Sequence, residues 1–440
     1  MFAYYLRLAL ISLKRSRVLT ALMIAAIALG IGMSMTSMTV LHAMSSNPMS
    51  HKDDVVRRVQ LDNWSADEPA DDDRPEEPPG LMTYRDVTAL LEAKQAQHEA
   101  AFFPNFLSVQ PESREIKPYV APTLFTTGGF FPVFEPPFLH GGGWGDAEDR
   151  NSARVAVIGK ETNDKLFGGG NSVGKTIRMD GEDYRVVGVL DAWNPAPRVY
   201  HISGGAFGEA HEIYVPFRIG IGKQMQSASN NSCFEDGSGA GYQAWLNSEC
   251  IWLDLWVQLK DASDAPRYAA FIDSYVQDQK KAGRFPRPLN NRLRTVSEWL
   301  QSQEVVSRDA RTQVWLAFAF FAVCLINTVG LLLAKFMGKA SEIGLRRAVG
   351  ASKPALFAQY LTEAGIVGVA GGMFGLALTG LGLLALRSLY AGTSTERLAQ
   401  LDWTMVGLSL LIALAASLLA GLYPTWRACQ VQPATQLKTQ

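Results

Sequence analysis

The chain has 440 residues, room for two or three folded units. Nearly half of it is hydrophobic (48%), yet the formal net charge is only −1. That balance provides neither a basic face for nucleic acid nor an acidic tail.

The first 17 residues are basic, carrying Arg7, Lys14, Arg15 and Arg17. The apolar run that follows, "VLTALMIAAIALGIGMSMTSMTV" from Val18, lacks Asp, Glu, Lys and Arg over a length sufficient to cross a bilayer, about 20 residues. It exceeds the roughly 7–15 apolar residues of a signal peptide, and no small-x-small cleavage site follows. A retained spanning helix is expected over 18–44.

Residues 45–313 form a long polar region, enough for a sizeable soluble core. "DVVRRVQL" alternates like a strand, "TYRDVTALLEAKQAQ" reads as a helix and "FLSVQ" as a strand. Much later come a strand, "IWLDLWVQL", and a helix, "APRYAAFIDSYVQDQKKAG". This order predicts an α+β domain of the split βαβ kind. Between the two parts, about 119–250, lies a β-rich inserted subdomain with "ARVAVIG", "KTIRMD", "YRVVGVL" and "EIYVPF". The segment "DNWSADEPADDDRPEEPPG" is acidic and proline-rich, which suits a solvated loop or a docking site for a basic partner.

Within the insertion, "GGNSVGKT" (Gly169 to Thr176) fits the pattern of a phosphate-binding loop. Such a loop needs a strand before it and a helix N-terminus after it. Here a short helix, "GKETNDKLF", precedes it, and two extended runs around Asp180-Gly181 follow as a hairpin. The match is expected to be accidental.

Cys233 and Cys250 share this exported region, and an oxidising compartment would let them bond across "FEDGSGAGYQAWLNSE". A loop of that size gains about 3 kcal/mol by the chain-entropy estimate. Free thiols are the alternative. Cys324 falls in the second apolar run and Cys429 in the C-terminal tail. His42, His51, His98, His140, His201 and His211 lack metal-ligand spacing, and neither C-x-x-C nor a G-x-S-x-G elbow occurs. No catalytic or metal-binding residue is assigned.

"VSEWLQSQEVVSRDARTQVWLAFAFF" reads as one helix running unbroken from about 295 through 313 into a second spanning helix, 314–334. Such a stalk either transmits movement or serves as a spacer. A connection at 335–363 follows, then a third span at 364–386, a short loop at 387–402, a fourth span at 403–423 and a tail at 424–440. The N-terminus, this connection and the tail together hold eleven Lys or Arg against two acids, Glu342 and Glu363. Residues 45–313 hold 28 Lys or Arg against 38 Asp or Glu. The positive-inside rule then puts both termini and the connection in the cytoplasm and the large domain outside.

In the connection, "KASEIGLRRAVGASKPALFAQYLTEA", Leu345, Ala348 and Val349 fall at i, i+3 and i+4 of a short helix, with Arg346 and Arg347 pointing elsewhere. Gly350 is a helix stop, Ser352 a cap for the next helix, and Pro354 is tolerated in its first turn. These basics either only set topology or flank an apolar ridge that seats in a groove on a soluble partner. In the third span Gly368 and Gly372, and Gly371 and Gly375, form two G-x-x-x-G pairs suited to close packing, within the subunit or at a dimer interface.

"SEIGLRRAVGAS" resembles the cytoplasmic signature of the MacB/FtsX-type ABC permeases, matched at Glu342, Ile343, Gly344, Arg347, Ala348, Gly350 and Ala351. "YPTWRACQVQPATQL" is similar to their closing run at Pro424, Arg427, Pro433, Ala434 and Leu437. The hairpin "SVGKTIRMDGEDYRVVGVL" resembles their exported domain, and the arrangement of one plus three spans is theirs as well. The resemblance implies a membrane α-helical protein with four spans and a large α+β extracytoplasmic domain, in the bacterial inner membrane. It implies that Glu342 to Gly350, including Leu345, Arg346 and Val349, couple to an ABC ATPase. MacB carries its nucleotide-binding domain before the first span. Only about seventeen residues stand there in this sequence, so a separate ATPase subunit, holding the ATP and Mg, is expected, with no cofactor on this chain. A second permease copy or paralogue is implied, and for efflux a membrane-fusion adaptor and an outer-membrane channel. The same resemblance admits FtsX-like signalling to a periplasmic partner, or lipoprotein extraction of the LolC/LolE kind.

Overall fold

A computed structural model describes residues 2–234, 239–389 and 403–430. Most of the predicted 387–402 loop lies outside these residues, as do Pro433, Ala434, Leu437 and Lys438. The chain divides into two compact units, residues 46–305 and residues 1–45 with 306–440.

The soluble unit is built on one sheet. Its strands in chain order are β1 (Val56–Gln60), β2 (Met82–Thr83), β3 (His98–Gln110), β4 (Tyr119–Thr126), β5 (Phe138–Gly141), β6 (Val155–Ile158), β7 (Thr176–Met179), β8 (Glu182–Leu190), β9 (Ile213–Pro216), β10 (Ile251–Gln258) and β11 (Arg292–Thr295). They lie in the order β11-β1-β10-β3-β4-β9-β6-β8-β5, with β2 on β10 and β7 on β3 and β8. Pairing is antiparallel except for β4 with β9 and β6 with β8. The β-rich insertion therefore extends the sheet from its β3 edge. Helices Tyr84–Ala93 and Ala265–Lys281 accompany it, where the helical patterns were read.

Both faces of the central strands are covered. Along β3, Ala101 and Phe103 enter one core cluster while Ala100 and Phe102 enter the other. On β10, Leu253, Leu255 and Val257 join the first and Trp256 the second. This is the period-2 alternation of a strand with apolar residues on each face. The hairpin between β7 and β8 turns at Asp180 (φ 47°) and Gly181 (φ 78°), the two positive φ values that a type I′ turn requires.

Two expectations are modified. The acidic segment is a loop exposed at Ala66, Asp67, Glu68, Asp72 and Asp73, but it is anchored to the sheet and to Ser302. Arg294 pairs with Glu77 at 2.6 Å, Gln60 donates to the carbonyls of Pro78 and Pro79, Arg58 to that of Gly80, and Arg74 to that of Ser302. Arginines on the neighbouring strands and carbonyls of a segment outside any helix or sheet account for this. The stalk is not continuous. A helix over Val296–Ser302, held by a Thr295/Glu298 capping box, ends at Gln303. Glu304 takes φ 45°, and Ser307 then caps a new helix, Arg308–Met337, by accepting from the Ala310 amide at 3.2 Å. A serine placed to satisfy first-turn amides starts a helix afresh.

Among the described residues of the membrane unit, four helices are long and apolar enough to cross a membrane: Arg17–Ser45, Arg308–Met337, Lys353–Leu389 and Trp403–Cys429. The third begins at Lys353, directly after the expected cap Ser352, and runs on without interruption through the predicted span at 364–386. A further helix, Phe2–Arg15, precedes them and was not predicted. Both G-x-x-x-G pairs are used within the chain. A Cβ on Gly368 or Gly372 would lie 1.8 Å from Ser417 Oγ or 2.8 Å from Ala413 Cβ, both on the fourth spanning helix. One on Gly371 or Gly375 would lie 2.6 Å from Ile27 or 2.7 Å from Ile31, on the first. The third helix is thus clasped on two sides.

Candidate coupling site

The segment predicted to couple folds as the helix Ala340–Ala348. Its C-terminus is closed by Gly350 at φ 107°, where the Ala351 amide bonds to the Arg346 carbonyl and the Gly350 amide to the Arg347 carbonyl. These paired bonds form a Schellman motif, which favours glycine at that position. Two residues on, Ser352 Oγ accepts from the Ala355 amide at 3.3 Å and starts the third spanning helix. The bend between the helices is thus specified by Gly350 and Ser352 together.

One face of the short helix is buried. Ile343 packs with Leu356, Tyr360, Ala428 and Cys429, and Gly344 is buried beside it. The opposite face is open: Leu345 is 58% and Val349 81% exposed, and Ala348 is exposed between them. Large apolar side chains so exposed at i and i+4 form the expected ridge.

The arginines point away from the ridge, as expected, and are engaged within the chain. Arg346 pairs with Glu342 at 2.6 Å and also donates to Gln359 Oε1 at 3.2 Å. Arg347 donates to the Cys429 carbonyl at 3.5 Å. They brace the short helix against the third and fourth spanning helices, because an acceptor lies one turn back and others end the neighbouring helices. The apolar side chains open at this site are Leu345, Ala348 and Val349.

The sequence reading missed what lies next to the segment. Glu363 and Lys335, counted only as topology charges, form an ion pair at 2.5 Å, with side-chain exposures of 0% and 1%. Ser12 Oγ is 2.8 Å from each Glu363 oxygen, and Lys339 donates to Ser12 Oγ. The signal was available: an acid at the head of an apolar run needs a partner.

In the soluble unit, Cys233 and Cys250 are joined in a disulfide. The loop Gly169 to Thr176 spends its amides internally, Gly174 on the Val186 carbonyl and Lys175 on that of Ser172, and it leads into β7. No helix N-terminus follows it to cradle phosphate. Among the described residues no group of three or more His, Cys, Asp or Glu could hold a metal ion. His201 is buried and bonded at 2.9 Å to Asp254, which also pairs with Arg58 at 2.8 Å. Burial, with Arg198 nearby, holds the His211 imidazole well below its ordinary value.

Residues 20–275 match the family described as the MacB-like periplasmic core domain, and residues 314–433 match the FtsX-like permease C-terminal family. The pyoverdine export ATP-binding/permease protein PvdT of Pseudomonas entomophila is 26% identical over 321 residues, 70% of this chain and 42% of that protein. The macrolide export ATP-binding/permease protein MacB of Bdellovibrio bacteriovorus is 25% identical over 323 residues, 72% of this chain and 43% of that protein. The chain thus spans less than half the length of these relatives. The crystal structure of the periplasmic region of MacB from Actinobacillus actinomycetemcomitans aligns at 13% identity with a TM-score of 0.36, over 58% of this chain and 97% of that one.

Proposed function

The chain belongs to the MacB/FtsX-type ABC transporter permeases, membrane proteins with a periplasmic domain, and we propose that it couples ATP hydrolysis on a separate ATPase subunit to movement of that domain. In this reading the helix Ala340–Ala348 faces the cytoplasm, as the basic residues around it favour. Two permease copies, or this chain and a paralogue, stand over a pair of ATPase subunits in the inner membrane. The cargo is a peptide, antibiotic or similar molecule taken from the periplasm, passed through a membrane-fusion adaptor to an outer-membrane channel. The names of the relatives, exporters of pyoverdine and of macrolides, favour efflux over signalling or lipoprotein extraction.

The observation that carries the reading is the open ridge of Leu345, Ala348 and Val349, on a helix whose other face and both ends are fixed within the chain. An apolar helical ridge of this kind suits a groove on a partner. Ala348→Glu would bury an unpaired charge in such a groove, at a cost of several kcal/mol. The variant is expected to express and fold yet to lose the ATPase on purification in mild detergent. Ala66→Glu, at an exposed position of the soluble unit, is the silent control. Retention of stoichiometric ATPase and normal transport by Ala348→Glu would show that the segment only sets topology.

A further inference from the structure

Glu363 is the common acceptor of a buried polar cluster inside the membrane unit. Ser12 comes from the helix Phe2–Arg15, Lys335 from the second spanning helix and Glu363 from the third. Lys335 Nζ also lies 3.4 Å from Thr20 Oγ1 on the first. Lys339, which bonds to Ser12 Oγ, is the capping residue of the helix Ala340–Ala348. A single carboxylate therefore joins three helices directly, and through Ser12 and Lys339 it reaches the start of the coupling helix.

Stability does not explain such a cluster. Replacing a buried ion pair by apolar residues of similar volume is often neutral or stabilising, whereas leaving one partner alone costs about 3–5 kcal/mol. Leucine and methionine would pack these helices as well. What the charged cluster adds is direction. Apolar contact is non-directional and lets helices slide, while charge-assisted hydrogen bonds are short and angle-dependent.

We propose that Glu363 is a positioning residue of the coupling machinery: through Lys335, and through Ser12 and Lys339, it holds the helix Ala340–Ala348 in fixed placement on the spanning helices, so that displacement of that helix moves them instead of being absorbed. This rests on the reading of the segment as the ATPase-coupling site.

The test uses the full chain in lipid nanodiscs with the ATPase that co-purifies with it. Amide hydrogen exchange across residues 46–305 is recorded with and without ATP plus vanadate. The variant Glu363→Leu with Lys335→Met removes both charges and keeps the packing. It is expected to bind the ATPase at wild-type stoichiometry and to hydrolyse ATP. Its nucleotide-dependent exchange difference should shrink about fivefold or more, the lower end of an ordinary coupling free energy. Ser12→Ala leaves the Lys335–Glu363 pair in place and cuts only the link to Lys339. It should reduce the same difference, and it decides the matter if the double variant does not fold. A wild-type exchange response in both variants overturns the inference, as does loss of the ATPase from both, since the cluster then only shapes the docking surface. Failure of the wild-type chain itself to recruit an ATPase removes the coupling reading, and it is seen before any substitution is made.

Discussion

Arg58 with Asp254 in the soluble unit and Lys335 with Glu363 in the membrane unit are both buried ion pairs, at 2.8 and 2.5 Å. The chain around them is held by different means. Arg58 is on β1 and Asp254 on β10, and backbone hydrogen bonds already align those strands, with Arg58 opposite Trp256. The ion pair decorates a ladder that exists without it. The spanning helices satisfy their backbone groups internally, as a bilayer demands, so nothing but side chains relates one helix to another. The same chemistry is therefore an accessory to a backbone ladder in one unit, while in the other it adds directed contacts to helices otherwise spaced by glycine packing. Loss of the first should register in stability, loss of the second in transmission.

Asp254→Ala tests the soluble half of that contrast. It leaves the Arg58 guanidinium, 1% exposed at its side chain, with the Gly80 carbonyl and without a counter-charge. A loss of about 3–5 kcal/mol is expected, read as a lower denaturant midpoint for the soluble unit. A change below about 1 kcal/mol would mean that water or rearrangement compensates the cation.

Gly368→Ala addresses the membrane half, where small residues set helix spacing. The new methyl would fall 2.4 Å from Ser417 Cβ, so the third and fourth spanning helices must part. Overpacking costs about 1–3 kcal/mol, and thermal unfolding in detergent should shift downward accordingly. Gly380→Ala, with no atom within 4 Å of the added carbon, should leave the transition in place.

A smaller effect is expected from pH. Burial raises the Glu99 carboxyl from 4.5 to about 7 and that of Asp149 from 3.8 to about 6. Hydrogen bonds from Gly128 and Trp144 offset part of the shift at Asp149. Each acid holds its proton to higher pH in the folded chain than in the unfolded one, so the fold binds more protons across that interval. Stability then falls as pH rises from the ordinary carboxyl range to about 7, and the loss is complete above it. Glu99→Gln should match the wild type in Tm near the acidic end and exceed it at about pH 8. An equal offset at both ends would remove titration of Glu99 as the cause.

What could be read in advance follows from how local each determinant is. Asp180-Gly181 states its turn in two residues, and Gly350 and Ser352 state a helix end and a helix start. β4 was not among the strands read in the insertion, and Pro122 within it is a residue that reads against a strand. Yet Pro122 precedes the four positions that pair with β9, and it only lends its carbonyl to the Glu212 amide. The stalk looked continuous because its composition is helical throughout; the break depends on Glu304 adopting a left-handed conformation, which composition does not show. That Glu363 needs a partner was legible, but which partner it takes, like the anchoring of the acidic segment, needed the fold itself. Their partners lie far apart along the chain, and no spacing rule connects Ser12 to Glu363 or Arg74 to Ser302.

Clasping the third spanning helix on two sides has a consequence for assembly. Its four glycines at 368, 371, 372 and 375 are occupied by the chain's own first and fourth spanning helices. A second copy approaching through the bilayer would find those notches filled. It would meet bulky side chains instead, such as Trp315, Leu316, Val323 and Ile326 on the second spanning helix, each more than half exposed. Helices that meet through large side chains stand toward the wide end of the usual 8–10 Å separation, with lipid able to fill the gaps. A seam of that kind would resemble two greased surfaces rather than a zipper.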